Sequence, residues 1–150
     1  MADAVSNTIQ SIDSLSANEF AVELEGESVT GVFRLTGFVP FKLDVNNTTS
    51  VKAVREPFKL VKMVQRDPLA PVNSWIRQTI QSRAEIVRPT RTLTIMAIDN
   101  GVEIRRWTVN GAWIGEIGYS DFDMASGDLV EERLTIHYED IVETWSIGLG

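Results

Sequence analysis

The sequence predicts a mainly β, single-domain protein, a β-sandwich or small barrel of about six or seven strands with one flanking α-helix. Three observations carry that prediction. Apolar and polar residues alternate in two well-separated stretches, Phe20–Leu35 and Leu129–Tyr138. Asn100-Gly101 separates two further strand-like runs, and Asn-Gly is the strongest short hairpin signal because both central residues of that turn need positive φ. One window, Ala70 to about Glu85, has helical periodicity.

Residues 1–18 are rich in Ser, Asn, Asp and Ala, with a weak apolar spacing at Val5, Ile9 and Ile12, and are expected to be a flexible arm that gains structure on contact with a partner. Strand alternation begins at Glu19: Phe20, Val22 and Leu24 face one way, Ala21 and Glu23 the other. Gly26-Glu27 marks a reversal, and Val29, Gly31, Phe33 and Leu35 share a face in the run that follows. Residues 39–57 hold the turn cluster Asn46-Asn47-Thr48-Thr49-Ser50 flanked by Lys42, Asp44, Lys52, Arg55 and Glu56, which predicts a long projecting hairpin or loop. Loops of that length in a compact domain are commonly functional.

Phe58 to Gln65 is apolar on both parities, the pattern of a strand covered on both faces. Asp67-Pro68 reads as a helix cap with proline in the first turn, opening a helix over about 70–84 whose inner face is Val72, Trp75, Ile76, Thr79 and Ile80. Arg91 to Ile98 and Val102 to Val109 form the Asn-Gly hairpin. Ala112 to Gly127 is glycine-rich and reads as irregular, Leu129 to Glu139 as a strand, and residues 142–150 as a C-terminal tail. Trp75, Trp107 and Trp113 are expected in the core, whereas Trp145, close to the chain end, is a candidate for packing on another subunit.

The chain has 150 residues, net charge −7, no cysteine and one histidine. Disulfides and cysteine-ligated metals are excluded, and an acidic chain disfavours nucleic-acid binding, which needs clustered Lys and Arg. The start of the chain has neither the basic region nor the apolar stretch of a signal peptide, and no run is long enough for a transmembrane helix; no membrane insertion by the chain itself is expected. His137 lies on the polar face of its strand with no nucleophile-elbow pattern nearby, Asp121, Asp123 and Asp128 do not match a calcium loop, and Gly115 and Gly118 do not form a phosphate-binding fingerprint. Glu131 and Glu132 point to opposite faces and cannot act together on one substrate. No catalytic, cofactor or metal site is expected.

Phe20-x-Val22-Glu23-Leu24-x-Gly26, then Gly31-Val32-Phe33-x-Leu35-Thr36-Gly37-Phe38, resembles the opening strand pair of the tail tube proteins of contractile phages and of the inner tube proteins of extracellular contractile injection systems. Leu60 to Arg66 resembles the strand that precedes the family's helix, and Trp75 stands at the place of its helix tryptophan. The strongest match is C-terminal: Arg106-Trp107-Thr108-Val109, Ala112-Trp113, Ser120-x-x-Asp123-x-Ala125-Ser126, Glu132-x-Leu134-Thr135-Ile136 and Glu139 follow the family's order and spacing. The resemblance covers residues 19–141, the segment taken as the tail-tube domain. It departs from the pattern at Ile114-Gly115-Glu116, where the family commonly has Pro-Thr-Lys, and at Gln65-Arg66-Asp67, where it has Lys-Arg-Gly.

The resemblance implies that six copies close a ring barrel, that rings stack into a hollow tube, and that a contracting sheath drives the tube through a target envelope. It implies as partners the chain itself, a sheath protein, baseplate and tube-terminator proteins, and a tape measure or protein cargo in the lumen. It also implies synthesis in the bacterial cytoplasm, followed by incorporation into a phage tail or an extracellular or envelope-associated particle. Subunit and ring-stacking contacts are then expected at Lys42, Asp44, Asn46, Asn47, Lys52, Arg55, Glu56 and Trp145. The alternatives within the fold are a tube-initiating baseplate ring and the tube protein of type VI secretion; outside it, a small-ligand-binding β-barrel carrier.

Overall fold

The computed structural model describes residues 19–46, 51–83 and 85–146. The arm at 1–18, Asn47 with the rest of its turn cluster, and the last four residues of the expected tail lie outside the described residues. Among the described residues, ten strands and one helix follow in order: β1 (Phe20–Leu24), β2 (Glu27–Val29), β3 (Val32–Thr36), β4 (Leu43–Asp44), β5 (Lys52–Ala53), β6 (Phe58–Met63), α1 (Pro71–Ser82), β7 (Arg91–Asp99), β8 (Val102–Tyr119), β9 (Glu131–His137) and β10 (Asp140–Trp145). Ten exceeds the six or seven expected, because short strands escape a reading by alternation.

The main sheet is antiparallel, in the order β2-β1-β7-β8-β9-β6-β3, with β10 also on β8. Strand β8 explains how one sheet makes two layers. Its first half pairs with β7 on one side and β10 on the other, while Trp113 to Tyr119 pair with β9. The change of partner falls at Gly111, which has φ +62, and a Cβ there would lie 2.7 Å from Glu139 Cγ. The segment read as irregular from Ala112 to Tyr119 is therefore strand, bent by that glycine. Likewise 142–145 is no tail: it completes β10 against Arg105–Thr108. The sheet's outermost strands, β2 and β3, are joined only by Thr30-Gly31, so its two ends meet without a ladder between them and the barrel stays open.

Several local expectations match the structure. The Asn-Gly turn has Asn100 at φ 50 and Gly101 at φ 76, and Asp99 pairs with Val102 across it. Val22 and Leu24 are buried, as are Leu134 and Ile136 on β9 and Tyr138 just after it. In β3 a bulge between Val32 and Arg34 resets the alternation, so that Val32 and Leu35 pack on the core while Phe33 turns outward.

The helix starts at Pro71, so the proline of its first turn is Pro71, not Pro68. Asp67 instead accepts a hydrogen bond from the Leu69 amide (2.9 Å), an Asx-type turn ahead of the helix. Val72, Trp75 and Ile76 join the same core cluster as Leu24, Leu93 and Leu134. Trp75 is fully buried and its indole N–H donates to Pro89 O (2.9 Å), so truncation to alanine would cost about 3–5 kcal/mol. Ile80, expected on that inner face, is more than half exposed. Trp113 also departs from the core. It lies on the outer face, stacked on the His137 ring at 4.4 Å with the Arg88 guanidinium over its face. Gly115 permits that stack, since a Cβ there would come within 2.6 Å of the imidazole.

Candidate functional site

The segment between β3 and β6 leaves the main sheet. Its described residues form a separate two-stranded ladder in which Leu43 pairs with Ala53 and Asp44 with Lys52. Two contacts fix its base to the barrel, and one ion pair ties its two arms together. Tyr138 Oη donates to Glu56 O (2.9 Å), Arg55 Nε donates to Glu139 O, and Lys42 Nζ lies 2.6 Å from Glu56 Oε1. Burial raises the Tyr138 pKa, against the opposing effect of its hydrogen bond to Glu56 O. Asp44 accepts from the Asn46 amide (3.1 Å). Phe41 is 76% exposed, and Val45 and Val51 are similarly open. Such a row of apolar side chains on a thin hairpin has no core to enter within its own chain.

Of the eight expected contact residues, Lys42, Asp44, Asn46, Lys52, Arg55 and Glu56 thus belong to one hairpin. Asn47 lies outside the described residues. Trp145 is elsewhere, on β10. It is 58% exposed, with Arg105 stacked 3.5 Å from its ring centre and its indole N–H donating to Glu143 Oε2 (2.9 Å). Glu143 Oε1 also accepts from Trp107 on β8, joining the two tryptophans across the β8–β10 pair.

Two features escaped the sequence reading. One is an open groove of about 890 Å³ walled by the 120–130 segment and by the ends of β3 and β6. Phe33, Met63, Phe122, Met124 and Leu129 line it, and Met124 is fully exposed. Phe122, Met124 and Leu129 stand among aspartates in a stretch without strand alternation, and that anomaly was visible in the sequence. At the rim Glu131 accepts from Arg34 (2.9 Å) and Arg133 (3.1 Å). Partial burial pulls its carboxyl pKa up, but the two guanidiniums outweigh it and the net shift is downward.

The other is a buried ionic cluster. Lys62 Nζ lies 2.7 Å from Glu132 Oε1, with side chains 0% and 7% exposed, and also donates to Asn73 Oδ1 (3.2 Å) and Met63 O (2.9 Å). Tyr119 Oη donates to Glu132 Oε2 (3.1 Å), and Asn73 Nδ2 donates to Asp67 O (2.7 Å). Burial first, then the charge and hydrogen bond of Glu132, raises the Tyr119 pKa. Every charge here is matched, and the cluster ties the helix N-terminus to β6 and β9. Among the described residues no three His, Asp or Glu side chains converge as a metal site.

The model of the T4-like virus tail tube protein gp19 family matches residues 16–142. No curated protein matches the chain. Among solved structures, a chain of the PVC sheath–tube complex, an extracellular contractile injection system in the extended state, superposes with TM-score 0.68 at 14% identity, covering 94% of this chain and 98% of that one. A chain of the tube-terminating cap of the anti-feeding prophage gives TM-score 0.69 at 15% identity over 89% and 92%. Hcp1 from E. coli EAEC 042 gives 0.59 at 12% identity over 86% and 92%.

Proposed function

The chain belongs to the T4-like virus tail tube protein gp19 family, and from that premise we propose that it is the repeated subunit of the inner tube of a contractile injection system or phage tail. Six copies close a ring, rings stack into a hollow tube, and a contracting sheath drives the tube through a target envelope. The role is structural rather than catalytic. Its partners are further copies of the chain, a sheath protein, and the baseplate and terminator proteins at the tube's ends; the finished particle is a phage tail or an extracellular injection device.

The observation that carries this reading is the family match over residues 16–142, nearly the whole described chain. The fold supports it. The main sheet ends at β2 and β3 without sealing, and β10 is an edge strand carrying Trp145. Open edges invite pairing with another chain, and closing them between subunits removes the hazard. The hairpin contacts proposed at Lys42, Asp44, Asn46, Lys52, Arg55 and Glu56, and the lateral contact proposed at Trp145, all lie on exposed or half-exposed surface, while the contact proposed at Asn47 lies outside the described residues. Negative-stain electron microscopy and light scattering of the purified chain test the reading. Rings or tubes are the expected result; a strict monomer from micromolar to high concentration would sink it.

The likeness to the terminating cap, as good as that to the sheath–tube chain, favours one second reading: a ring that ends the tube. Copy number decides. A main tube subunit is present in purified particles at about the abundance of the sheath protein, whereas an end ring is present in six copies per particle.

A further inference from the structure

A fully buried lysine is uncommon, and an ion pair in a protein interior gains little over apolar side chains of the same size. Lys62 is 0% exposed, and its ammonium meets three groups at once: Glu132 Oε1 (2.7 Å), Met63 O (2.9 Å) and Asn73 Oδ1 (3.2 Å). The reactive ones come from three elements, Lys62 from β6, Glu132 from β9 and Asn73 from the first turn of α1. The register Lys62↔Glu132 sets amine and carboxyl side by side on neighbouring strands. Asn73 Nδ2 donates to Gln65 O (3.3 Å) and Asp67 O (2.7 Å), which fixes the carboxamide with its oxygen turned toward Nζ. Tyr119 Oη donates to the second oxygen of Glu132 (3.1 Å) and so holds that carboxyl in place.

An amine, a carboxamide and a carboxyl group in contact are the complete set for amide exchange. In water a carboxamide resists amines. Fixed beside one and shielded from solvent, it gains the effective molarity of an intramolecular reaction. We propose that Lys62 and Asn73 join in an isopeptide bond within the chain, with Glu132 as the acid–base catalyst.

A proton first passes from Nζ to Glu132 along their hydrogen bond, leaving an amine with a free electron pair. The amine attacks Asn73 Cγ: the Nζ–Cγ bond forms and the carbonyl π pair moves to Oδ1. Glu132 then passes its proton to Nδ2 and takes a second one from Nζ. The Cγ–Nδ2 bond breaks, ammonia leaves, and the pair on Oδ1 closes to the new carbonyl. Charge balances as well as atoms. One cation and one anion become a neutral amide and a neutral acid, so no lone charge remains in the core. Ammonia has a way out past Asp67, which is exposed. The ion pair is the state before reaction. The bond is the state after it, and it fastens the first turn of α1 to β6. The inference needs only the fold of one chain and stands apart from the tube reading.

Intact-mass spectrometry of the purified chain, held at neutral pH until its mass is constant, tests it. The expected mass lies one ammonia below that of the sequence. Trypsin then releases a branched peptide, residues 60–66 joined through Lys62 to residues 67–77, because an acylated lysine is not cut. A chain that keeps its full mass, or that trypsin still cuts after Lys62, overturns the proposal. So does an ammonia loss mapped to Asn100 or Asn110, where a following glycine permits ring closure on the backbone. A mass gain from hydrolysis of the Asn73 carboxamide overturns it too. The chain kept in concentrated urea is expected to hold its full mass and to lose ammonia only on refolding; equal loss in urea overturns the proposal, since the three groups meet only in the fold. Asn73→Ala, at a half-buried position, removes the acceptor carbon and should keep its full mass. Glu132→Gln keeps the shape without the acid–base and should slow the loss by about a hundredfold or more. An unchanged rate in that variant, folded, overturns the role of Glu132.

Discussion

Two lysine–glutamate pairs of nearly equal length sit in this molecule, and their surroundings give them opposite roles. Lys62–Glu132 (2.7 Å) is sealed between β6, β9 and the start of α1, with Asn73 and Tyr119 completing its hydrogen bonds. Lys42–Glu56 (2.6 Å) is about half exposed at the base of the hairpin. The first pair has lost its water and cannot separate without leaving a bare charge in the core. The second can exchange its partner for water or for another chain at little cost. A Lys–Glu contact is thus a lock in one place and a spare binding group in the other, and burial decides which.

Removing one partner from each pair tests the contrast most severely. Glu132→Ala strands a buried ammonium and is expected to cost about 3–5 kcal/mol, measured by urea unfolding. That is a large part of the stability of an ordinary domain. Replacing the pair together, by Lys62→Met with Glu132→Leu, should recover most of the loss. If Glu132→Ala unfolds no more easily than Glu56→Ala, the contrast is broken.

Next in size is the outer face around Trp113 and His137. Gly115→Ala pushes a methyl group against His137 and is expected to cost about 1–3 kcal/mol through overpacking. Thermal unfolding followed by tryptophan fluorescence reads it, because Trp113 stacks on that imidazole.

The lock also has a pH signature. The folded-state pKa of Tyr119 lies above its ordinary value of 10.0, so its contribution is complete below that value and fades as pH rises through the folded pKa. Glu131, on the groove rim, has the opposite sign: its lowered pKa gives a contribution present above the usual glutamate range and lost as pH falls through the folded value. Tyr119→Phe should flatten the alkaline limb of a stability–pH profile while leaving the acid limb intact. The smallest effect belongs to the exposed pair. A double-mutant cycle on Lys42 and Glu56 is expected to give a coupling energy below about 1 kcal/mol that shrinks with added salt.

How far the sequence could be read follows the same division between local and non-local causes. The Asn100-Gly101 turn, the helix around Trp75 and the alternation of β9 are set by near neighbours along the chain, and all were legible. Lys62 was not, because its burial is fixed by Glu132, seventy residues away. The bulge in β3 reversed the face of Phe33, and the bend at Gly111 hid the second half of β8 behind glycines that resemble a loop. Of the expected contact residues, the hairpin members gather as spacing suggested. The apolar groove joins Phe33 and Met63 to the 120–130 segment, a meeting that only the fold creates.

Strand β8 has a mechanical consequence. It is 18 residues long and belongs to both layers, held by β7 and β10 along its first half and by β9 along its second. A pull along its axis loads these ladders in shear, so many hydrogen bonds share the force at once instead of opening one after another as in unzipping. Neither layer can slide without dragging the other. A subunit built around such a strand is stiff in the direction of the strand and weakest where β4 and β5 stand apart from it.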